Sequence, residues 1–314
     1  MAKILIPGGA GYVGGYMTDL LSQNGEDVAV YDNLIYESRF LKNVRFIYGD
    51  IRDREKLRKI LPQFEVVIWL AAIVGDGACA VDPFLTQSIN EDTVKWLVDN
   101  YSGMIIFPST CSVYGINNEL IDESAPPNPL SMYAITKLAA EQHIIANHKD
   151  YLIFRLGTLY GMGDEHSRIR LDLVTNVLTQ KAAFGEPLTV FGGDQWRPLM
   201  HVRDVAEATL FGLRKKVTGL FNLSAENYRI REIAEKIRKS IPNTTVVYQD
   251  MKFEDQRNYR VTSEAYRNLG WSPKHTMDEG IREMCMVIKE QRIKNLSDPI
   301  YYNAHYLNER HSRL

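Results

Sequence analysis

The sequence predicts an α/β fold built on a doubly wound parallel β-sheet, with a smaller mixed α/β lobe beside it. Short apolar segments alternate with helical segments through the first half of the chain. Segments such as Val66–Leu70 are apolar without interruption, and a glycine-rich turn follows the first apolar segment. Alternating strands and helices predict parallel strands joined by helices, and uninterrupted apolar strands are typical of a sheet covered on both faces.

The elements follow in order from this pattern. In the first half we expect helices near residues 12–23, 53–61, 84–101 and 131–148, and strands at Lys3–Pro7, Asp27–Tyr31, Val44–Tyr48, Glu65–Leu70, Met104–Ser109 and Leu152–Leu156. The second half is less regular. There we expect helices near residues 167–183, 202–214, 229–240 and 276–292, and strands at Leu188–Phe191, Leu220–Leu223 and Thr245–Tyr248.

These elements divide the chain into two lobes. Residues 1–159 and 199–224 are expected to form the sheet domain. Residues 160–198 and 225–314 are expected to form the smaller lobe, which closes over the carboxyl edge of the sheet. The chain has no low-complexity segment and no clear linker, so we expect the lobes to be tightly joined.

Composition restricts the class of protein. The 314 residues are 45% hydrophobic and 24% charged with a formal net charge of −2, which is typical of a globular protein and gives no broad basic surface for nucleic acid. No apolar run approaches the ~20 residues that span a bilayer. Three cysteines without a CxxC pair indicate a reducing compartment, and the seven histidines lack metal-binding spacing. We therefore expect a cytoplasmic protein without membrane, nucleic-acid or metal partners.

The glycine-rich turn predicts a binding site for a dinucleotide. Gly8, Gly11 and Gly14 follow the first strand and precede a helix. Such glycines allow a tight turn, close approach to a diphosphate, and close packing of helix on strand. The phosphates would lie on amide groups at the start of the helix, at Tyr12 and Val13. A glycine triplet alone is also compatible with an ordinary strand–helix turn.

Acidic residues after the next two strands extend this prediction. Asp32 ends the second strand and is placed, beside Asn33, to accept hydrogen bonds from an adenosine ribose. Its charge would repel a 2′-phosphate, which favours NAD over NADP, although Arg39 lies close in sequence. Asp50 and Ile51 would suit a contact with the adenine, but an aspartate there is also typical of a helix N-cap.

A tyrosine and a lysine predict the catalytic chemistry. Tyr133 and Lys137 are four residues apart and share one face of the predicted helix 131–148. An unperturbed tyrosine has a pKa near ~10, and a neighbouring ammonium with an oxidised nicotinamide would lower it. A hydroxyl from the run Ser109–Gly115, after the fifth strand, could hold the reacting oxygen. The pair alone is also compatible with an exposed helix surface.

Together these motifs resemble the extended short-chain dehydrogenase/reductase superfamily, in its nucleotide-sugar epimerase/dehydratase branch, with a Rossmann fold. The resemblance runs from residue 3 to about 285. Its matching positions are Gly8, Gly11, Gly14, Asp32, Asp50-Ile51, Leu70-Ala71-Ala72, Asn90, Ser109–Gly115, Tyr133, Lys137, Arg155–Gly161, Arg197, His201–Asp204, Arg260 and Leu269-Gly270-Trp271.

The resemblance implies a role for each matching residue. Tyr133 would be the acid/base, Lys137 its partner and a ligand of the nicotinamide ribose, and Thr110 the catalytic hydroxyl, with Ser109 second. Asn222 and Arg257 are weaker substrate candidates. The further cofactor-binding positions would be Leu70, Ala71, Ala72, Asn90 and Ser109. The substrate would meet Thr110, Thr158, Arg197, His201 and Arg260, with the two arginines on its diphosphate.

Three departures narrow the activity. The dehydratases of this branch carry an Asp-Glu pair where this chain has Cys111 and Ser112, so dehydration is not expected. Thr158 stands where many relatives have asparagine, and residues 72–79 differ from the common loop beside the sugar pocket. The chain is also similar to bacterial enzymes that oxidise GDP-heptoses for capsule assembly.

The sequence thus predicts an NAD-dependent oxidoreductase that oxidises a nucleotide-activated sugar, at C4, to a 4-keto sugar by hydride transfer. The alternative is an NAD-dependent nucleotide-sugar 4-epimerase, which shares every motif. A third interpretation is a non-catalytic NAD-binding module. The presence of both the tyrosine and the lysine argues against it. By resemblance, a homodimer is expected to form through helices 84–101 and 131–148.

Overall fold

The computed structural model describes residues 1–37, 39–250, 257–293 and 295–311. Its strands are β1 (Lys3–Pro7), β2 (Asp27–Asp32), β3 (Arg45–Tyr48), β4 (Val66–Ile68), β5 (Met104–Thr110), β6 (Ile116–Ile121), β7 (Tyr151–Leu156), β8 (Thr158–Tyr160), β9 (Leu188–Phe191), β10 (Trp196–His201), β11 (Gly219–Leu223), β12 (Glu226–Arg229), β13 (Val246–Gln249) and β14 (Asn258–Val261).

The α-helices are α1 (Gly14–Gln23), α2 (Arg54–Ile60), α3 (Asp76–Val81), α4 (Pro83–Gln87), α5 (Thr93–Asn100), α6 (Met132–Asn147), α7 (Val174–Ala183), α8 (Val202–Lys215), α9 (Ile230–Ser240), α10 (Glu264–Arg267), α11 (Met277–Lys289) and α12 (Asn303–His311). A π-helical turn at Ser88–Asp92 joins α4 to α5. Short 3-10 helices lie at Leu61–Gln63, Cys111–Tyr114 and Pro299–Tyr301.

Seven strands form one parallel sheet, in the order β11-β7-β5-β4-β1-β2-β3. β1 pairs with β2 on one side and with β4 on the other, so that Lys3 lies opposite Asp27 and Ile4 opposite Val66. The strand order reverses at β1, and sheets of this kind bind ligands in the crevice at the carboxyl ends of the strands there. The predicted doubly wound parallel sheet is confirmed.

Apolar clusters cover both faces of this sheet. Alternate residues of a strand point to opposite faces. Ile4 and Ile6 of β1 lie in a buried cluster with Met17 of α1. Leu5 lies in a different buried cluster, with Trp96 of α5. Because both faces are covered, the central strands have no solvent-facing positions, which explains their uninterrupted apolar sequence.

Three smaller sheets lie outside the seven-stranded one. β10 pairs parallel with β8 and antiparallel with β12, while β9 pairs with β13 and β6 with β14. All strands of the large sheet fall within residues 1–159 and 199–224, and the division into two domains stays a prediction. Within the described part of the chain, no helix has the length and apolarity needed to cross a membrane.

The structure differs from the prediction at the helix expected near residues 167–183. The helix α7 begins only at Val174. The preceding residues are held by bonds to the chain near residue 300: the amide of Leu171 donates to the carbonyl of Tyr301 at 3.0 Å, and Asp172 accepts from the amide of Asn303 at 3.0 Å. These distant partners replace the bonds that a local helix would make.

A buried ion pair ties together three elements beneath the carboxyl edge of the sheet. Arg155 of β7 pairs with Glu141 of α6, and both side chains are almost fully buried. Glu141 also accepts a hydrogen bond from the hydroxyl of Ser109 at 2.8 Å, and Arg155 donates to the hydroxyl of Tyr114 at 2.8 Å. The two ends of the run Ser109–Gly115 are thereby fixed against α6 and β7.

This pair predicts a specific stability effect. Replacing Arg155→Met leaves the Glu141 carboxylate buried without its cation, which costs about 3–5 kcal/mol of unfolding free energy. The double variant Arg155→Met/Glu141→Leu should regain most of the loss, because it removes both charges. Urea unfolding at pH 7 measures these changes. Arg58→Met, which breaks an exposed pair with Glu55, is the control and should cost at most about 1 kcal/mol. An Arg155→Met loss no larger than that of the control would contradict the expectation.

Candidate active site

A cavity of about 710 Å³ opens at the carboxyl edge of the seven-stranded sheet. It is walled by the ends of β1, β2, β4 and β5, by the segment before α7, and by the start of α12. It brings together most of the residues that the sequence singled out. Those lining it are Gly8, Gly11, Tyr12, Val13, Asp32, Asn33, Asp50, Ile51, Leu70, Ala71, Ala72, Ser109, Thr110, Tyr133, Lys137, Thr158, Arg197 and the weaker candidate Arg257.

The glycine turn has the shape that a dinucleotide requires. A Cβ atom on Gly8, where φ is +83°, would lie 2.4 Å from the backbone nitrogen of Ala71, so only glycine fits. A Cβ on Gly14 would lie 2.5 Å from Cα of Gly9, which lets α1 begin directly against the turn. At Gly11 a Cβ would meet only the carbonyl of Gly8, at 3.2 Å, and would otherwise fill the cavity. No side chain caps the start of α1. The glycine turn and the start of this helix therefore suit a diphosphate, and the residues present fit NAD.

Asp32 fixes one end of this turn. Its carboxylate accepts hydrogen bonds from the amides of Ala10 at 3.1 Å and Leu34 at 2.8 Å. Burial raises the pKa of Asp32, and these backbone hydrogen bonds oppose that rise. The carboxylate lines the cavity and retains lone pairs for a ribose hydroxyl, which is the contact predicted for it.

The structure contradicts one of the two roles that were predicted for Asp50. The N-cap of α2 is Asp53, whose side chain accepts from the amide of Lys56. Asp50 instead pairs with Arg52 at 2.7 Å, and this hydrogen-bonded arginine lowers the pKa of Asp50. The helix-cap interpretation of Asp50 is therefore wrong, because the helix begins one turn later.

The structure distinguishes the two candidate catalytic hydroxyls. The hydroxyl of Ser109 is committed to the Glu141 carboxylate at 2.8 Å. The oxygen of Thr110 accepts from the amide of Ser112 at 3.1 Å, which leaves its hydrogen available to donate. The Thr110 side chain also lies near Tyr133, where it acts to lower the pKa of the tyrosine. The geometry therefore favours Thr110, as the resemblance implied.

The electrostatics around Tyr133 differ from the expectation. Burial raises the pKa of Tyr133, because its ring packs with Ile73, Cys79 and Leu307. The cation that opposes this rise most is Arg170, and the Thr110 side chain adds to it. A neighbouring lysine was expected to give Tyr133 a lower pKa. This net lowering of the Tyr133 pKa is absent in the protein by itself.

Lys137 lines the cavity but is more deeply buried than Tyr133, with 3% of its surface exposed. Its Nζ donates to the carbonyl of Pro108 at 2.6 Å and lies 4.3 Å from the centre of the Phe107 ring. Burial lowers the pKa of Lys137 to about 7, against the opposing charges of Cys79 and Glu141. The lowered pKa reflects the cost of holding an ammonium group in this buried position.

Two predicted substrate residues lie away from the cavity. His201 is fully buried and caps the start of α8, with its Nε2 3.3 Å from Glu283. The predicted substrate contact of His201 is wrong, because no ligand can reach the ring. The guanidinium of Arg260 lies 5.1 Å from the Trp196 ring and donates to the carbonyl of Asn118 at 2.9 Å. Arg260 is not among the residues that line the cavity, where it was predicted to bind a diphosphate.

Two further candidates support the site from behind. Asn90, a predicted cofactor ligand, is 1% exposed and exchanges hydrogen bonds of 2.8 Å with both backbone groups of Ile73. It therefore shapes the loop after β4 without touching the cavity. Asn222, the weaker substrate candidate, is also buried and accepts from the hydroxyl of Tyr114 at 2.8 Å.

Sequence reasoning missed several charged residues of the cavity wall. Arg168, Arg170 and Asp172 line it, as do Asp76 and Asn303. Asp76 forms an ion pair of 2.9 Å with Arg257 across the cavity. The signal in the sequence was the alternation of charged and apolar residues in Arg168-Ile169-Arg170-Leu171-Asp172, which indicates an extended segment and does not fit the helix expected there.

A profile of the NAD dependent epimerase/dehydratase family matches residues 4–224. The chain belongs to this family. This confirms the resemblance to the nucleotide-sugar epimerase/dehydratase branch and confirms that the protein is an NAD-dependent enzyme. Within the described residues, no three His, Cys, Asp or Glu side chains are grouped to hold a metal ion.

Individual relatives are similar over almost the whole chain. UDP-glucose 4-epimerase of Corynebacterium glutamicum is 27% identical over 304 residues, which cover 87% of this chain and 92% of that protein. The structure of UDP-glucose 4-epimerase from Thermus thermophilus with NAD is 25% identical, with a TM-score of 0.79 over 92% of this chain and 99% of that one. UDP-glucuronic acid 4-epimerase from Bacillus cereus, in complex with UDP-glucuronic acid and NAD, is 26% identical, with a TM-score of 0.78 over 91% and 99%.

The buried lysine predicts a dependence of stability on pH. The folded-state pKa of Lys137, about 7, lies below its ordinary value of 10.5, so between these values the unfolded chain binds more protons. The unfolding free energy of the wild type should therefore rise with pH in this window, relative to Lys137→Met, by up to about 1.4 kcal/mol per pH unit. Urea unfolding at pH 7, 8.5 and 10 tests this, with Lys59→Met as the exposed control. Parallel pH profiles for all three proteins would exclude a depressed pKa.

Proposed function

We propose that this protein is an NAD-dependent 4-epimerase of a UDP-activated hexose. The observation that carries the proposal is the meeting of the Tyr133 and Thr110 hydroxyls in the same cavity as the glycine turn and Asp32. The named relatives support the choice of reaction, since two of them are UDP-glucose 4-epimerases similar over most of the chain. The same relatives give the oxidation to a released 4-keto sugar, which the sequence analysis preferred, less support.

The residues that would hold the cofactor occupy one side of the cavity. The amides at the start of α1 would bind its diphosphate, Asp32 its adenosine ribose and Lys137 its nicotinamide ribose. NAD, when bound, supplies the group that accepts two electrons from the sugar carbon and can return them. The protein's own task is to place the sugar hydroxyl and to move its proton.

Tyr133 would take the proton of the sugar's 4-hydroxyl as that carbon is oxidised to a ketone, and would give it back when the ketone is reduced. Thr110 would donate a hydrogen bond to the same sugar oxygen, since its own acceptor is already used by Ser112. Burial opposes the phenolate form of Tyr133, and Arg170 favours it. Inversion at C4 follows if the ketone presents its other face before it is reduced.

The nucleotide would occupy the other side of the cavity. Arg197 is 4% exposed and donates through Nη1 to the carbonyls of Trp196 and Arg257. Its fixed guanidinium, with that of Arg257, would face the sugar diphosphate. A slot of apolar side chains beside them would receive the base, lined by Leu173, Val174, Val177 and Ile230.

The same geometry argues against dehydration of the sugar. Cys111 is fully buried and donates to the carbonyl of Arg155 at 3.1 Å, and burial raises the pKa of its thiol. Ser112 is buried as well, at 6% exposed. Neither residue can supply the acid and base that elimination of water requires at neutral pH.

We also propose a homodimer that forms through α4 and α6. Ile135 and Ile145 on α6 are 47% and 41% exposed, and Phe84 on α4 is 87% exposed. Exposed apolar side chains on adjacent helices favour burial against a second copy. Light scattering should give twice the 36.0 kDa chain mass, and Phe84→Asp should shift it towards the monomer. A wild-type mass of a single chain at micromolar concentration would exclude the dimer.

The decisive experiment follows sugar and cofactor together. The protein with NAD should convert UDP-glucose and UDP-galactose into each other, seen by NMR, without net accumulation of NADH by absorbance. A 4-keto sugar formed with equimolar NADH would instead make the protein a dehydrogenase. The same assay should also be run with UDP-glucuronic acid, GDP-heptose and dTDP-glucose. These substrates test the nucleotide and the sugar that the proposal specifies.

Tyr133→Phe removes the proton-transferring hydroxyl and keeps the ring. Turnover should fall about 10²–10⁴-fold, the usual contribution of general acid–base catalysis. Tyr248→Phe, at a half-exposed tyrosine of β13 outside the cavity lining, is the matched control and should retain activity. Unchanged turnover in Tyr133→Phe would remove this residue from the mechanism.

A further inference from the structure

We propose that Arg168 and Arg170 bind the cofactor's diphosphate on the side facing the glycine turn, so that NAD is clasped between this pair and α1. For the nature of the ligand the proposal rests on the NAD-dependent function given above. It adds a second set of phosphate ligands, which come from the segment between β8 and α7.

Each arginine lies near the residues that are proposed to bind one end of the dinucleotide. The guanidinium carbon of Arg168 lies 3.8 Å from the centre of the Tyr36 ring, and its charge acts on the nearby Asp32 carboxylate. The guanidinium carbon of Arg170 lies 6.0 Å from the Tyr12 ring, in the glycine turn, and its charge acts on Tyr133.

In the proposed function, Asp32 binds the adenosine ribose of NAD and Tyr133 lies at the nicotinamide end. The cofactor must therefore extend through the space between these two residues. A dinucleotide has its diphosphate at the middle of that path. Arg168 and Arg170 are two residues apart in a segment without helix or strand, and both line the cavity. They therefore flank the place where two phosphate charges are expected.

A buried guanidinium group retains an unused donor in the part of the chain that the structure describes. Arg168 is only 6% exposed, and its Nε has no hydrogen-bond partner there. Its Nη2 donates to the carbonyl of Ile300 and to the side chain of Asn303. Arg170 is 9% exposed, lines the cavity and donates through Nε to Asp172 at 2.9 Å. Buried donors of this kind require an acceptor.

The charges also indicate an anionic ligand. Burial lowers the pKa of Arg168 to about 10, and the neighbouring Arg170 adds to this effect by repulsion. Asp172 supplies a full negative charge directly to only one of the two guanidinium groups, through its ion pair with Arg170. Asp32 and Glu37 also act electrostatically on Arg168. A diphosphate would accept from the unused donors in the fork geometry that guanidinium groups favour.

The segment that carries the arginines is fixed in place before any ligand binds. Asn176 is fully buried and donates to the carbonyl of Arg170 at 2.9 Å. The hydroxyl of Tyr12 donates to the carbonyl of Gly161 at 2.7 Å, which joins the glycine turn to the start of the segment. The cofactor would therefore meet two surfaces that are already held in position.

The test measures cofactor binding instead of turnover. We would strip the wild type, Arg168→Met and Arg170→Met of nucleotide and titrate each by calorimetry with NAD, ADP-ribose, adenosine and UDP. Each single variant should bind NAD and ADP-ribose about 10–100-fold more weakly, the effect of losing one or two charge-assisted hydrogen bonds. Adenosine and UDP should bind as to the wild type, because neither carries the cofactor's diphosphate. Arg45→Met, at an exposed arginine on β3, is the control.

The other outcomes are equally distinct. Wild-type affinity for NAD in both variants would overturn the proposal, and so would an equal loss for adenosine, which has no phosphate. Weaker binding of UDP-glucuronic acid with unchanged NAD would assign the arginines to a sugar carboxylate. Should a methionine variant fail to fold, Arg170→Lys keeps the charge without the fork and should show a smaller, diphosphate-specific loss. Absence of epimerase activity in the wild type would refute the proposed reaction but would leave these affinities unaffected.

Discussion

The cavity depends on how closely three strand ends approach one another at Gly8. The amide of Gly8 donates to the carbonyl of Tyr31 in β2 at 2.9 Å, and the carbonyl of Pro7 accepts from Leu70 and Ala71 after β4. The missing side chain at Gly8 is what permits this approach. The starting point of α1, the place of Asp32 and the loop that contacts Tyr133 all follow from it, because each is attached directly to one of these strand ends.

The sequence predicted the sheet well because its signal is local and strong. Strands buried on both faces must be apolar throughout, as in β1 and β4. The strands outside the large sheet that were missed contain polar residues and are defined by pairing with distant segments; they are β6, β8, β10, β12 and β14. The sequence could point to Tyr133, Lys137 and Thr110 because their motifs have a fixed spacing. That spacing puts them on a predicted helix and directly after a predicted strand.

The errors at the site have one physical origin. His201 and Arg260 occupy positions typical of the family, yet a position in the sequence does not determine which way a side chain points. His201 turns into the core towards Glu283, and Arg260 lies against Trp196. Conversely, Arg168 and Arg170 were missed because they enter the cavity only through bonds to Tyr301 and Asn303, more than a hundred residues away.

Asn303 has a consequence for how the specificity of such an enzyme can evolve. It joins the cavity wall by donating to the carbonyl of Val74 and to Asp172 and by accepting from Arg168. Together with α12 it shapes the pocket but contributes no strand to the large sheet. Changes at the exposed positions of α12 can therefore alter the outline of the cavity without changing the strand pairing of the sheet, provided that Asn303 and Leu307 keep their buried contacts.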